Sequence, residues 1–173
     1  RLFTEVGDLR AVQAYFSYFN RDPQNVRNQA DIGGGALYDI GCYPIVTGRF
    51  LFGTEPKRAI ALVDRDPEFK TDRAVSALLD FGNGRRMDFT VSTQSVPYQR
   101  VQICGTQQRI EVQIPFNSPL GGSTQILTDD GASLDGSSVT AETISACDMY
   151  TLEVDALSLA ALGQASLPYG VED

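Results

Sequence analysis

Gly33-Gly34-Gly35-Ala36-Leu37-Tyr38-Asp39-Ile40-Gly41-Cys42-Tyr43-Pro44 is the stretch on which the fold turns. Three glycines open a helical run that continues to about Phe52. Leu37, Ile40, Ile45, Leu51 and Phe52 have spacings that suit a buried helix, and Gly53 is a natural C-terminal stop. Pro44 removes one donor from the ladder and presses on the carbonyl of Ile40, so a kink is expected there. Helical spacing resumes on both sides, which argues against a break.

On either side of this helix the pattern is β. Residues 9 to 20 keep period two through Val12, Ala14, Phe16 and Tyr18, which predicts a long strand. A polar loop with Asp22-Pro23 as its turn signal separates that strand from the glycines. After the helix, 58–63 and 74–81 are candidate strands, and Phe81-Gly-Asn-Gly-Arg85 signals a hairpin into a strand with Met87, Phe89 and Val91 on one face. Tyr98 to Cys104 and Gln108 to Ile114 flank Gly105-Thr106 as a second hairpin. The Gly/Ser/Pro-rich stretch 115–138 holds one short strand near 125–128, and another strand is expected over 139–145. Asp148 is placed to cap a last helix to about Leu162, with Leu152, Ala156 and Leu159 facing inward.

The order β, α, many strands, α predicts an α+β fold. Its sheet would be large, open, mixed and mostly antiparallel, with helices on one face. The other face should lack helical cover, because polar and apolar residues alternate on several strands. Its polar members Thr90, Ser92, Gln94, Gln102 and Gln113 are uncharged, which favours a subunit interface over plain solvation.

Composition narrows the chemistry. The 173 residues hold 14 Lys plus Arg against 22 Asp plus Glu, a formal charge of −8, three cysteines and no histidine. Without histidine, no His-based triad and no imidazole base or metal ligand can be built, so proton transfer falls to Asp, Glu, Tyr, Lys or Cys. The acidic balance argues against nucleic acid as a partner. No apolar run approaches the roughly 18 residues of a membrane span, so a membrane is not an expected partner either. Cys42, Cys104 and Cys147 are odd in number and far apart, which fits a reducing compartment and three small buried hydrophobes. Acidic loops such as Asp64, Asp66 and Glu68 lack the ligand pattern of a calcium site, so no metal is expected.

Asp39 and Tyr43 stand four apart on the helix and share a face. A phenol titrates near about 10 and exchanges protons poorly at neutral pH unless tuned. A neighbouring cation would lower that value, whereas Asp39 alone would raise it. The pair therefore asks for a third group, most simply a lysine, and the chain holds only Lys57 and Lys70. A plain structural reading stays open beside this one, with Tyr43 a core aromatic and Asp39 its hydrogen-bond partner. The glycines make no phosphate loop, because they lack a preceding hydrophobic strand and the G-x-G-x-x-G spacing.

The motif from Gly33 to Tyr43 resembles that of the Gfo/Idh/MocA family of NAD(P)-dependent oxidoreductases. The resemblance takes in Gly7-Asp8-Leu9-Arg10, Asn25-Val26-Arg27, Leu51-Phe52-Gly53 and Asp80-Phe81. It continues through Val96-Pro97-Tyr98-Gln99-Arg100-Val101, Gly105-Thr106, Ile114-Pro115-Phe116-Asn117 and Tyr150. The chain is most similar to the subgroup of glucose–fructose oxidoreductase and the dihydrodiol and xylose dehydrogenases. In that subgroup tyrosine stands where many members carry histidine.

The resemblance implies a two-domain parent enzyme. Residues 1–173 would form its C-terminal substrate and oligomerisation domain, like that of glyceraldehyde-3-phosphate dehydrogenase-type enzymes. An N-terminal Rossmann domain outside this chain would hold most of the NAD(P) and supply the lysine. The implied reaction is hydride transfer between nicotinamide and a sugar or diol carbon. Tyr43 would exchange the substrate proton, and Asp39 would orient the site. Arg27 and Asn25 would meet substrate hydroxyls, and Tyr98 would lie near the cofactor or subunit side. The isolated chain is expected to be inactive, and its parent cytoplasmic, with a periplasmic parent left open. Gly170 to Asp173 fall where family members continue into another helix. A homodimer or larger homo-oligomer through the open sheet face is expected. Two other readings stand beside the enzyme: a non-catalytic cofactor-sensing regulator, and an assembly module driven by the open face.

Overall fold

β1 (Leu9–Phe19) runs through the middle of the molecule, and the other strands are laid out around it. The computed structural model describes residues 5–167; Gly170 to Asp173 lie outside the described residues. The remaining strands are β2 (Arg58–Arg65), β3 (Asp72–Gly82), β4 (Arg85–Ser92), β5 (Gln94–Gly105), β6 (Arg109–Gln113), β7 (Thr124–Asp129) and β8 (Thr140–Ile144). They form one open sheet in the order β2-β3-β4-β1-β5-β6-β7-β8. β1 pairs in parallel with β4 and antiparallel with β5, and every other neighbouring pair is antiparallel. This is the mixed, mostly antiparallel sheet that the alternation predicts.

Register explains which side of the sheet is covered. Val12 lies beside Met87 and Ile103, Ala14 beside Phe89 and Val101, and all of these side chains are buried. Residues of the other parity, Gln13, Asp88 and Gln102, sit side by side on the opposite face. There Gln13 donates to Asp88, and Gln102 donates to Glu111. The β3–β4 hairpin turns through Asn83 and Gly84, both at positive φ, which is the geometry of a type I′ turn.

The covering element is a helical run in two parts. A π-helical turn (Leu37–Gly41) leads into α1 (Cys42–Phe52), which ends at Gly53 in the left-handed conformation. The irregularity therefore lies before Pro44, where the wider turn makes room for a proline that cannot donate and that crowds the residue four back. Gly48 brings α1 close to the sheet. A Cβ there would lie 2.6 Å from Met87 Sδ and 3.0 Å from Phe81 Cζ.

Two expectations are corrected. The cysteines are not buried: Cys42 and Cys147 are exposed and Cys104 is half-buried. Cys42 opens α1, Cys104 lies on β5 with the parity opposite to the buried Val101 and Ile103, and Cys147 lies in the loop before the last helix. The last helix, α2 (Met149–Ala161), is capped by Asp148 as expected, with its carboxylate accepting from the Tyr150 and Thr151 amides. Its stripe does not face inward. Leu152 and Leu159 are exposed, Ala156 is half-buried, and no residue of α2 is buried. Periodicity selects a face on a helix but names no partner for it.

The close approach at Gly48 gives a test. Gly48→Val should force α1 off Met87 and Phe81 and destabilise the domain by about 1–3 kcal/mol. Urea unfolding followed by circular dichroism reads this as a lower midpoint at unchanged slope.

Candidate active site

Asp39 sits within the π-helical turn with one carboxylate oxygen toward the sheet and the other toward a loop. The Tyr18 hydroxyl, on β1, donates to Oδ2 at 2.5 Å, and Arg27 Nε donates to Oδ1 at 2.7 Å. Both oxygens are thus taken by side chains from two other parts of the chain. Burial and this hydrogen bond push the Tyr18 phenol well above the ordinary tyrosine value, so it stays protonated and remains a donor. Bonding to Asp39 raises the Arg27 guanidinium in turn.

The glycine run explains how Arg27 reaches Asp39. Its loop is folded into two short 3-10 turns, Val26–Asn28 and Ala30–Ile32. Asn25 Oδ1 caps the first by accepting from the Arg27 amide at 3.1 Å. A Cβ on Gly34 would lie 2.6–2.7 Å from the carbonyl oxygens of Val26, Arg27 and Gln29, so only glycine lets this loop lie against the start of the helix. A Cβ on Gly35, at φ +133, would run into the Asp72 carboxylate. That carboxylate accepts the Leu37 amide at 2.7 Å and so caps the helical run from β3.

Tyr43 occupies the first turn of α1 and is 39% exposed, which sets it apart from the core aromatics. Its ring lies against Phe16 at 5.5 Å and Phe116 at 5.4 Å, and those two stack on each other at 5.2 Å. Among the described residues none hydrogen-bonds its hydroxyl, and Asp39 bonds Tyr18 and Arg27 instead. The structure therefore does not pair Asp39 with Tyr43 as a core aromatic and its partner. Burial, then the nearby Cys42, Tyr150 and Asp39, push the Tyr43 phenol above its ordinary value, against a smaller opposing pull from Arg27.

These groups line one cavity of about 550 Å³. Arg27, Asp39, Tyr43 and Tyr18 contribute to its wall, with Gln99, Ile114 and Asn117 opposite. Gln99 holds that side in place: its Oε1 accepts the Phe116 and Asn117 amides at 3.1 and 3.2 Å. Ile114, at φ +52, makes the sharp turn that swings Phe116 back over Phe16.

Of the residues expected from sequence, Asp39, Tyr43 and Arg27 come together here. Asn25 does not line the cavity, and its side chain positions Arg27 through the cap. Tyr98 reaches the cavity's rim, but its ring packs on Tyr15 at 5.6 Å, on the opposite face of the sheet, with the Arg100 guanidinium 5.0 Å above it. Sequence reasoning gave no site role to Tyr18, Phe116 or Gln99, although the family resemblance takes in the last two. Tyr18 carried a usable signal, since period two along β1 puts it on the side of Phe16. Phe116 carried none in spacing, because its place depends on a hydrogen bond to a different strand. Among the described residues no cluster of metal-ligating side chains occurs, and no helix is long and apolar enough to cross a membrane.

With this geometry in hand, the comparisons with known proteins are specific. Residues 4–111 match the GFO/IDH/MocA C-terminal domain. An uncharacterized oxidoreductase, ORF334, of Rhizobium meliloti is 39% identical over 97% of this chain and 50% of its own length. The D-xylose 1-dehydrogenase (NADP(+)) 2 of Haloferax volcanii is 29% identical over 91% of this chain and 47% of its own. In fold, the chain resembles the 3-ketoreductase KijD10 of Actinomadura kijaniata, solved with NADP and TDP-benzene. The TM-score is 0.82 at 21% identity, over 94% of this chain and 49% of that one. The chain spans about half the length of the relatives it matches.

Two outcomes follow from the site's construction. Gly34→Ala should lift the loop away from the helix, with a loss of about 1–3 kcal/mol, and should return the Arg27 Nε–H resonance toward that of a free guanidinium. In a pH titration of the chain followed by tyrosine ring carbons, Tyr43 should titrate above the ordinary value of about 10 and Tyr18 later still. A Tyr43 that titrates below that ordinary value would contradict the assignment.

Proposed function

The chain belongs to the GFO/IDH/MocA family, and we propose that it forms the substrate side of an NAD(P)-dependent oxidoreductase acting on a sugar or diol. The observation that carries this reading is Tyr43. Its hydroxyl makes no hydrogen bond with the described residues, in a cavity whose aromatic wall holds the ring in place, and its proton affinity is set too high for work at neutral pH without an added cation. An upstream domain with a lysine would supply that cation.

The residues present fit the substrate end of a nicotinamide reaction. They do not fit the phosphates of a dinucleotide, because the nearest helix N-terminus is already occupied by Asp72. When bound, nicotinamide supplies or accepts the hydride. This chain's residues handle the other half of the event. Tyr43 gives or takes the proton on the substrate oxygen. Asp39, pinned by Tyr18, fixes Arg27, whose terminal nitrogens are left to meet substrate hydroxyls, and Asn25 holds the Arg27 backbone in place. Asp39 orients and does not act as the base, since both its oxygens are engaged. Tyr98, with its ring on the open face, fits the subunit side better than the cofactor side.

That open face suits a homo-oligomer. Gln13, Thr90 and Gln102 form its polar centre, and Ile60, Leu62 and Leu78 are exposed beside them on β2 and β3. Burying such a surface against a second copy would cover both the apolar stripe and the unhelped side of the sheet.

In the full-length enzyme, Tyr43→Phe should lower kcat by about 10²–10⁴-fold with a much smaller change in KM. An unchanged kcat, measured as NADPH formation with an aldose or a diol, would remove Tyr43 from the chemistry.

A further inference from the structure

The two edges of the sheet are built differently. We infer that β2 is a self-pairing edge: two copies of this chain join through antiparallel β2 strands about a two-fold axis at Ala61, making one continuous sheet. β2 has eight residues, all exposed, and its outer side carries no neighbouring strand among the described residues. Ile60 and Leu62 share the open face with Leu78 and Ser76 and are 71% and 77% exposed. On the other face Ala59, Ala61 and Val63 lie beside Leu79, Ala77 and Val75, yet the helical cover stops short of them. An edge of this length, apolar on both faces and without proline, is a template for another strand. The opposite edge, β8, is five residues long and carries Glu142 at its centre, a charge that opposes pairing.

The run Arg58-Ala59-Ile60-Ala61-Leu62-Val63-Asp64 complements its own reverse. With the axis at Ala61, Arg58 stands opposite the partner's Asp64, Ala59 opposite the partner's Val63, and Ile60 opposite the partner's Leu62. Apolar residues meet apolar ones, and the charges that meet are of opposite sign. Moving the axis by one residue destroys this match. Centred at Ile60, Arg58 would face the partner's Leu62; centred at Leu62, Asp64 would face the partner's Ile60. Lys57 and Arg65, which the favoured register would oppose, lie outside the regular strand: Lys57 reaches over Gly82, and a register shift sets Arg65 apart. Arg58 already pairs with Asp80, and Asp64 with Arg73, so the join would extend these ion pairs into a row across both copies. Main-chain hydrogen bonds supply the attraction, and the side chains fix the register. Pairing consumes this edge on both copies, so the contact closes at two. It is separate from the open-face contact, because Ala61 shares its side of the sheet with Ala77 and the buried Phe89.

The test combines disulfide trapping with sedimentation equilibrium. In a chain with Cys42, Cys104 and Cys147 changed to serine, Ala61→Cys sets two sulfurs on directly opposed residues across the axis, within reach of a disulfide. It should crosslink under mild oxidation at least about tenfold faster than Ala59→Cys, whose two copies stand well apart on either side of the axis. In the unmodified chain, Ala61→Lys brings two like charges together and should weaken self-association by at least about tenfold. Ala61 and Ala59 are both exposed, and a native circular dichroism spectrum checks that each variant folds. Equal crosslinking of the two cysteine variants would overturn the inference. So would self-association that Ala61→Lys leaves unchanged, which is the pattern of a dimer through the open face alone. A chain that stays monomeric up to about 1 mM would overturn it as well. None of these outcomes bears on Tyr43, whose role is read separately from turnover.

Discussion

The Asp39 carboxylate is the point where the site is tied together. One oxygen is bonded to a strand through Tyr18, and the other to a loop through Arg27, while its backbone belongs to the helical run that covers the sheet. A charged acceptor with two such donors is stronger than a neutral pair, and it is directional. It therefore fixes the loop relative to the strand in the place where ligand would lie. Everything nearby serves that junction. Gly34 allows the loop to come close, Asn25 sets the Arg27 backbone, and Asp72 anchors the beginning of the helix. The same bonds engage both Asp39 oxygens, which is why the role proposed for it is orientation.

Tyr43 is held by different physics. It is fixed by ring contacts with Phe16 and Phe116 and not by its hydroxyl. Aromatic packing sets a ring's position while leaving its polar end unspent. That separation suits a proton-exchanging phenol, which must be placed without being tied up. The cost is a proton affinity raised by partial burial and by the nearby Asp39. The Arg27 charge cannot correct this, since Asp39 already matches it. Proposing the missing cation on an upstream domain gives the two-domain arrangement a chemical reason: the phenol would be tuned only when both halves meet.

Most of the fold was legible from residue patterns. Period two through Val12, Ala14 and Phe16 gave β1, Asn83-Gly84 gave a hairpin, and Asp148 gave a helix start, all from local stereochemistry. The π-helical turn was not legible, because a proline signals irregularity without saying on which side the backbone will yield. Nor was the exposure of the three cysteines or of α2, since burial depends on what lies opposite. In the site, Asp39, Tyr43 and Arg27 could be named in advance from motif and family resemblance. Tyr18, Gln99 and Phe116 belong to it through contacts between distant segments.

The sequence by itself determined the element types, the two faces of the sheet, the exclusion of histidine chemistry and the demand of a tyrosine for a cation. Each of these follows from residue identity and from periods of a few residues. Only the tertiary structure decided that Asp39 turns to Tyr18 and Arg27 and away from Tyr43. That choice depends on strand register and on close backbone approach at Gly34 and Gly35. It brings together residues far apart along the chain, and no local pattern specifies which of them will meet.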